Sequence, residues 1–206
     1  MCRFIIVHSK NKINPEKLMN SFSNMAKESN ALDGDWQGDG CGIAWINNEG
    51  KWSLKKSLLP IWEDKGLFSG ISKTNIFIAH ARSASFKEQK GFIEFNEPYI
   101  NKEFAFVFNG ILKGVSIKSP GKIGAQKIWH LLEKELEQNE PNRALEIIKE
   151  LLLKNSKEIV ALNIGLATSK SIYSLCYFSR NPEYYNLWNY KDKNLEVICS
   201  EKIPII

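Results

Sequence analysis

The sequence lacks paired cysteines, long apolar runs and blocks of like charge, and each absence removes a class of protein. Its four cysteines, Cys2, Cys41, Cys176 and Cys199, are scattered over 206 residues with no C-x-x-C spacing. That argues against a zinc site and against a disulfide framework, and a reducing cytoplasm is the expected compartment. The apolar stretch Phe4-Ile5-Ile6-Val7 breaks at His8-Ser9-Lys10, too short for a signal-peptide core, and no later stretch reaches the length of a membrane span. Neither export nor a membrane partner is expected. The net charge of +5 is dispersed, with no run beyond pairs such as Lys55-Lys56, so the lysines read as a solvated surface and no nucleic-acid partner is expected. Internal repeats, low-complexity tracts and dividing linkers are missing as well. With 43% hydrophobic and 25% charged residues, the chain reads as one domain spanning residues 1–206 around an ordinary core.

What is present is an alternation of strand and helix patterns. Phe4-Ile5-Ile6-Val7 reads as a first strand. A helix follows from Asn14-Pro15, with Asn14 as cap and Leu18, Met19, Phe22, Met25 and Ala26 at helical spacing, ending near Ser29-Asn30. Residues 31–40 are loop chemistry, residues 41–46 a strand, and residues 51–54 its hairpin partner across Asn47-Asn48-Glu49-Gly50. Residues 58–73 read as irregular, with one helical turn at most. Residues 74–79 and 104–108 are strongly apolar strands, the second terminating at Asn109-Gly110. Two amphipathic helices are expected over 125–137 and 142–153, separated by Pro141, and then strands over 159–167, 172–179, 184–190 and 195–199. Strands, two helices and strands again suit two packed sheets with helices outside.

Three places carry chemistry. If Met1 is removed, as expected with a small side chain behind it, Cys2 bears a thiol and a free α-amine on one carbon. The amine titrates at roughly 7.7 to 8.0 and a thiol at about 8.5, so the amine can shuttle the thiol proton without a histidine. Taken alone, Cys2 is equally a small hydrophobe at the start of a strand. Arg82 follows the strand at His80-Ala81, where a guanidinium can hold a carboxylate through two parallel hydrogen bonds, or else form a surface ion pair. Asn109-Gly110 is either a plain turn or a pair of donors, one side-chain amide and one main-chain N–H, for an oxyanion. His130 beside the apolar stripe of the first late helix is a boundary residue rather than a ligand.

The ordered set of an N-terminal cysteine, a strand ending in His-x-Arg and a later strand reaching Asn-Gly resembles the class II glutamine amidotransferase domain, an N-terminal-nucleophile hydrolase. Asp39-Gly40-Cys41-Gly42-Ile43-Ala44 is similar to that family's Asp-Gly-x-Gly-Ile segment, and Asn96-Glu97-Pro98-Tyr99 to its Asn-x-x-Pro loop. Residues 177–180 and 197–201 look like the closing strands of its stand-alone branch. The resemblance covers nearly the whole chain and implies an α+β fold, the four-layer αββα sandwich. Carried over, it makes Cys2 the nucleophile and its amine the base, with Asn109 and Gly110 as oxyanion donors. Arg82 would bind the substrate α-carboxylate, and Ser85 stands where a threonine is common. Phe108 replaces a frequent histidine, and His80 is given a structural place.

The chain departs from the family after Gly121. A Thr-Asp-Ser-Glu stretch is usual there, its aspartate receiving the substrate α-ammonium, whereas this chain reads Ile123-Gly124-Ala125-Gln126. Three alternatives stand: Glu97 or Asp39 substitutes, the substrate has a blocked or displaced amine, or activity is lost. The implied reaction is hydrolysis of the side-chain amide of glutamine or a related γ-glutamyl compound through a Cys2 thioester. No metal or organic cofactor is needed. Ammonia is then released or passed to a separate synthase subunit, and the competing reading is a catalytically altered fold serving as a binding or regulatory subunit.

Overall fold

The computed structural model describes residues 1–29, 36–64 and 66–205. The first part of the expected 31–40 loop, through residue 35, and the helix end at Asn30 lie outside the described residues.

Among the described residues, ten strands form two antiparallel sheets. The first joins β1 (Arg3–Ile13), β2 (Cys41–Ile46), β3 (Trp52–Ser57), β4 (Thr74–Ala81), β9 (Trp188–Lys191) and β10 (Leu195–Cys199) in the order β3-β2-β4-β1-β10-β9. The second joins β5 (Tyr99–Ile100), β6 (Ala105–Lys113), β7 (Glu158–Ala167) and β8 (Ile172–Phe178) in the order β5-β6-β7-β8. Helix α1 (Glu16–Lys27) covers the outer face of the first sheet, while α2 (Gly124–Leu136) and α3 (Pro141–Asn155) cover the outer face of the second. The result is the four-layer αββα sandwich. No helix among the described residues is long and apolar enough to cross a membrane.

Strand alternation assigns the three core layers. In β1, Ile5 and Val7 meet Met19 and Phe22 of α1, whereas Phe4 and Ile6 face the second sheet and pack with Ile76, Ile78, Ala105 and Val107. Because β1 is buried on both faces, its beginning is a continuous apolar run rather than an alternating one. Phe106, Phe108, Leu162 and Ile164 turn the other way, onto Ile128, Leu132 and Ile148 of the two late helices.

Four local expectations are corrected. β6 does not end at Asn109-Gly110: it runs on to Lys113 because β7 supplies partners throughout, Asn109 opposite Asn163 and Gly110 opposite Leu162. Residues 184–190 are not one strand but the short helix α4 (Pro182–Tyr185) followed by β9. Asn181 adopts φ 51° before Pro182, and its carbonyl accepts the N–H groups of Tyr184 and Tyr185, which starts a helical turn there. Pro141 opens α3 instead of preceding it, at a first-turn position whose N–H would have no helical partner anyway. Pro15, not Asn14, takes the cap position of α1, and Asn14 stands one residue further out, its Oδ1 accepting the Glu16 N–H at 3.1 Å.

Candidate active site

β1 and β4 are antiparallel neighbours with Arg3 opposite Ala81, so Cys2 and Arg82 leave the sheet together at one edge. Cys2 has the parity of Phe4 and Ile6, and Arg82 that of Ile78 and His80, which turns both toward the space between the sheets. Across that space, Asn109 has the parity of Ala105 and Val107. The fold therefore gathers the three features that the sequence holds about 80 and 27 residues apart.

The Cys2 Sγ lies 3.4 Å from both the carbonyl oxygen and the amide nitrogen of Ser83, donating to the first and accepting from the second. Burial pushes its pKa up and the Glu97 carboxyl adds to this, while the N-terminal ammonium, the Ser83 amide and Arg82 oppose it. The main chain at Cys2 is clamped from behind. Arg3, 1% exposed, donates to the Cys2 carbonyl at 2.9 Å, pairs with Glu201 at 2.5 Å and lies 4.7 Å from the Tyr184 ring centre. Gln37, also buried, donates its Nε2 to the Met1 carbonyl at 3.0 Å.

Arg82 is 3% exposed. Its guanidinium donates to the Gln89 carbonyl at 2.8 Å and the Asn96 Oδ1 at 3.4 Å, and rests 5.7 Å from the Phe95 ring centre. Among the described residues no carboxylate pairs with it at salt-bridge distance. A buried guanidinium held only by neutral groups is under-compensated, and an incoming carboxylate supplies what is missing. Asn96 is fixed in turn by donating to the Ser57 carbonyl at 2.7 Å.

Two glycines admit this loop against β2. A Cβ on Gly40, whose φ is +120°, would stand 2.2 Å from the Asn96 amide nitrogen, and one on Gly42 would stand 2.4 Å from the Glu97 carbonyl oxygen. The Asp-Gly-x-Gly pattern is thus a seat for Asn96-Glu97-Pro98. Asp39 accepts from the Ala84 N–H at 2.9 Å and pairs with Lys90 at 2.8 Å, which braces the stretch after Arg82.

Glu97 points inward, 3% exposed, where it accepts the Phe108 N–H. Burial raises its pKa to about 8, so it is largely protonated at neutral pH and offers a substrate ammonium little charge. Ser85 is exposed in the bend after Ser83. Asn109, 4% exposed, has a buried Oδ1 that accepts no hydrogen bond among the described residues. Gly110 adjoins it where only glycine fits, since a Cβ would lie 2.4 Å from the Ala161 carbonyl oxygen and 2.7 Å from the Phe108 ring. At Gly124 a Cβ would meet nothing within 4 Å, so the position has room for a side chain and carries none.

A cleft of about 640 Å³ opens beside this cluster, walled by Lys56, Glu94, Tyr99, Gln126, Trp129 and His130 among others, but not by Cys2, Arg82 or Asn109. Lys56 escaped the sequence reading, which took Lys55-Lys56 as surface. Its Nζ lies 4.9 Å from the Tyr99 ring centre, and burial lowers its pKa against the pull of Glu97 and Glu94. The available signal was its cross-strand position opposite Gly42.

Two antiparallel sheets with helices outside both make up a fold that solved amidotransferase structures share. Among solved structures, the chain is similar to a glutamine aminotransferase class-II domain protein from Silicibacter pomeroyi, with TM-score 0.62 and 14% identity over 96% of this chain and 88% of that one. It is also similar to the glutamine phosphoribosylpyrophosphate amidotransferase of B. subtilis, with TM-score 0.67 and 15% identity over 97% of this chain and 42% of that one. No protein-family profile and no curated protein sequence matches the chain, and the likeness is one of fold.

Proposed function

We propose that this protein hydrolyses the side-chain amide of glutamine or a related γ-glutamyl compound, with Cys2 as nucleophile. The observation that carries the reading is the convergence, at one edge of the space between the sheets, of the Cys2 thiol and a buried Arg82 that has no carboxylate partner among the described residues. In this reading Arg82 takes the substrate α-carboxylate. The freed α-amine of Cys2 accepts the thiol proton, Sγ bonds to the amide carbon, and Asn109 with Gly110 stabilises the oxyanion. The amine then gives its proton to the departing nitrogen as the carbon–nitrogen bond breaks, and water cleaves the thioester to release the acid and restore the thiol. The raised thiol pKa suits this order, because a thiol still protonated near neutrality needs a base at its side.

The open position at Gly124 and the protonated state of Glu97 favour a second reading, a fold retained for binding. Intact-mass measurement of protein purified from its native cell, before and after treatment with a glutamine-like diazo-ketone, separates the two. Loss of Met1 and one adduct on Cys2 support the hydrolase. Retained Met1, or a processed Cys2 that ignores the reagent, sinks it.

A further inference from the structure

Met1 is seated rather than splayed into solvent. Its side chain packs against a small apolar cluster between the sheet ends and α4, made by Ile111, Val160, Ala161, Phe178, Tyr184 and Tyr185. This cluster is separate from the three core layers and borders the proposed oxyanion residues: Ile111 lies two positions beyond Asn109 on the same strand face, and Ala161 is its partner on β7. α4 is tied to the same strand, since Asn163, opposite Asn109, donates to the Tyr185 carbonyl at 2.7 Å. The seat therefore adjoins Asn109 along β6, and its members are carried by β6, β7, β8 and α4.

We propose that this seat, once Met1 has been cleaved off, is the subsite for an apolar substituent on the departing nitrogen, which makes γ-glutamyl amides of apolar alkyl amines the preferred substrates. The inference rests on the hydrolase reading above. Hydrolysis of the Met1–Cys2 peptide bond by a methionine aminopeptidase releases free methionine and leaves the Cys2 amine where the Met1 carbonyl was attached. Successive Cα atoms are only about 3.8 Å apart, so the seat begins next to that amine. The departing nitrogen must hydrogen-bond to the same amine to receive its proton, and its substituent then projects along the path that Met1 occupied. Ammonia leaves such a pocket unfilled. An unbranched or branched alkyl chain of four to six carbons resembles the methionine side chain in bulk and polarity, and each buried methylene is worth about fourfold in binding.

The test uses the processed full chain, its mass verified, with L-glutamine and the γ-glutamyl amides of methylamine, butylamine, isopentylamine and glycine as substrates. kcat/KM is expected to climb at least tenfold from glutamine to the isopentylamide and to stay low for the glycine amide, whose carboxylate is unsuited to an apolar wall. Ile111→Trp fills the seat from a half-buried position and should lower the isopentylamide-to-glutamine ratio at least tenfold. Isopentylamine should also inhibit the unaltered enzyme competitively, a readout that needs no variant to fold. Glutamine turnover with a flat or falling amide series, and no inhibition by the amine, overturns the subsite alone. Absence of both turnover and diazo-ketone labelling overturns the hydrolase reading and the subsite with it.

Discussion

Glu97 accepts the main-chain N–H of Phe108, the residue before Asn109, while His80 holds the carbonyl of the same residue through Nε2 at 3.3 Å. A carbonyl only accepts, so the His80 hydrogen sits on Nε2, and the buried Nδ1 is left without a partner among the described residues. Both main-chain polar groups of one β6 residue are thus held by side chains rather than by a neighbouring strand. This grip fixes the main chain immediately before Asn109.

The grip predicts a stability plateau in pH. Burial raises the Glu97 pKa from 4.5 to about 8, so between those values the unfolded chain has lost a proton that the folded one keeps, and stability falls as pH rises. Burial lowers the His80 pKa from 6.5 to about 3, so between those values the unfolded chain holds the extra proton, and stability rises with pH. The slopes cancel between pH 4.5 and 6.5, leaving a decline on either side. Denaturant titrations of Glu97→Gln should lack the decline between pH 6.5 and 8, and those of His80→Gln the decline below 4.5. Each effect is on the order of a few kcal/mol. Variants that reproduce the parent profile would show that neither group is buried in its neutral form.

Gly42 and Gly110 should reject even a methyl group. The Gly42 Cβ would press on the Glu97 carbonyl at 2.4 Å and the Lys55 carbonyl at 3.1 Å, both main chain, so no side-chain rotation relieves it. Gly42→Ala and Gly110→Ala are each expected to cost about 1–3 kcal/mol and lower Tm by several degrees. Gly50→Ala and Gly70→Ala serve as controls in thermal melts, since their Cβ atoms would meet nothing within 4 Å and only their positive φ opposes the change. Equal losses at all four sites would mean that backbone freedom, not crowding, governs them.

Arg82→Lys should separate substrate affinity from chemistry. Lysine keeps the charge but not the fork, and cannot hold the Gln89 carbonyl and Asn96 while also gripping a carboxylate in two places. KM for a γ-glutamyl amide is expected to rise by about 10- to 100-fold, the worth of one charged hydrogen bond, with kcat changed much less. An unchanged KM would remove Arg82 from the substrate, and a melting curve at the parent Tm would show that the fold was not at fault.

The sequence made the strands legible because Phe4-Ile5-Ile6-Val7 and Ile76-Phe77-Ile78-Ala79 are apolar on both faces, as a sandwiched strand requires. Cys2 and Arg82 are legible as strand-end chemistry because one stands just before β1 and the other just after β4. What the sequence hid is tertiary. Nothing local tells that β7 continues pairing past Asn109-Gly110, since Asn-Gly is by itself a strong turn signal and only its neighbour overrides it. Lys56 looks like any surface lysine until the fold brings the Tyr99 ring to 4.9 Å from its Nζ. Glu97 reads as a counter-ion because its burial depends on a hydrogen bond to the main chain of β6, eleven residues further on.

Asn163 tests whether the wall behind the site matters to the thiol. Its Nδ2 donates to the Tyr185 carbonyl at 2.7 Å at 1% exposure, and apart from Cys176, whose Sγ is 3.8 Å away, that carbonyl has few other ties. Asn163→Leu leaves the carbonyl buried and unmet, at a cost of about 1–3 kcal/mol. The loss propagates by contact: α4 carries Tyr184, Tyr184 lies on the Arg3 guanidinium, and Arg3 holds the Cys2 carbonyl. The variant should therefore alkylate with the diazo-ketone several-fold more slowly than the parent even well below its own Tm. A lowered Tm with the parent labelling rate would confine Asn163 to holding the fold, because the Cys2 main chain would then keep its position without α4 pressing on Arg3.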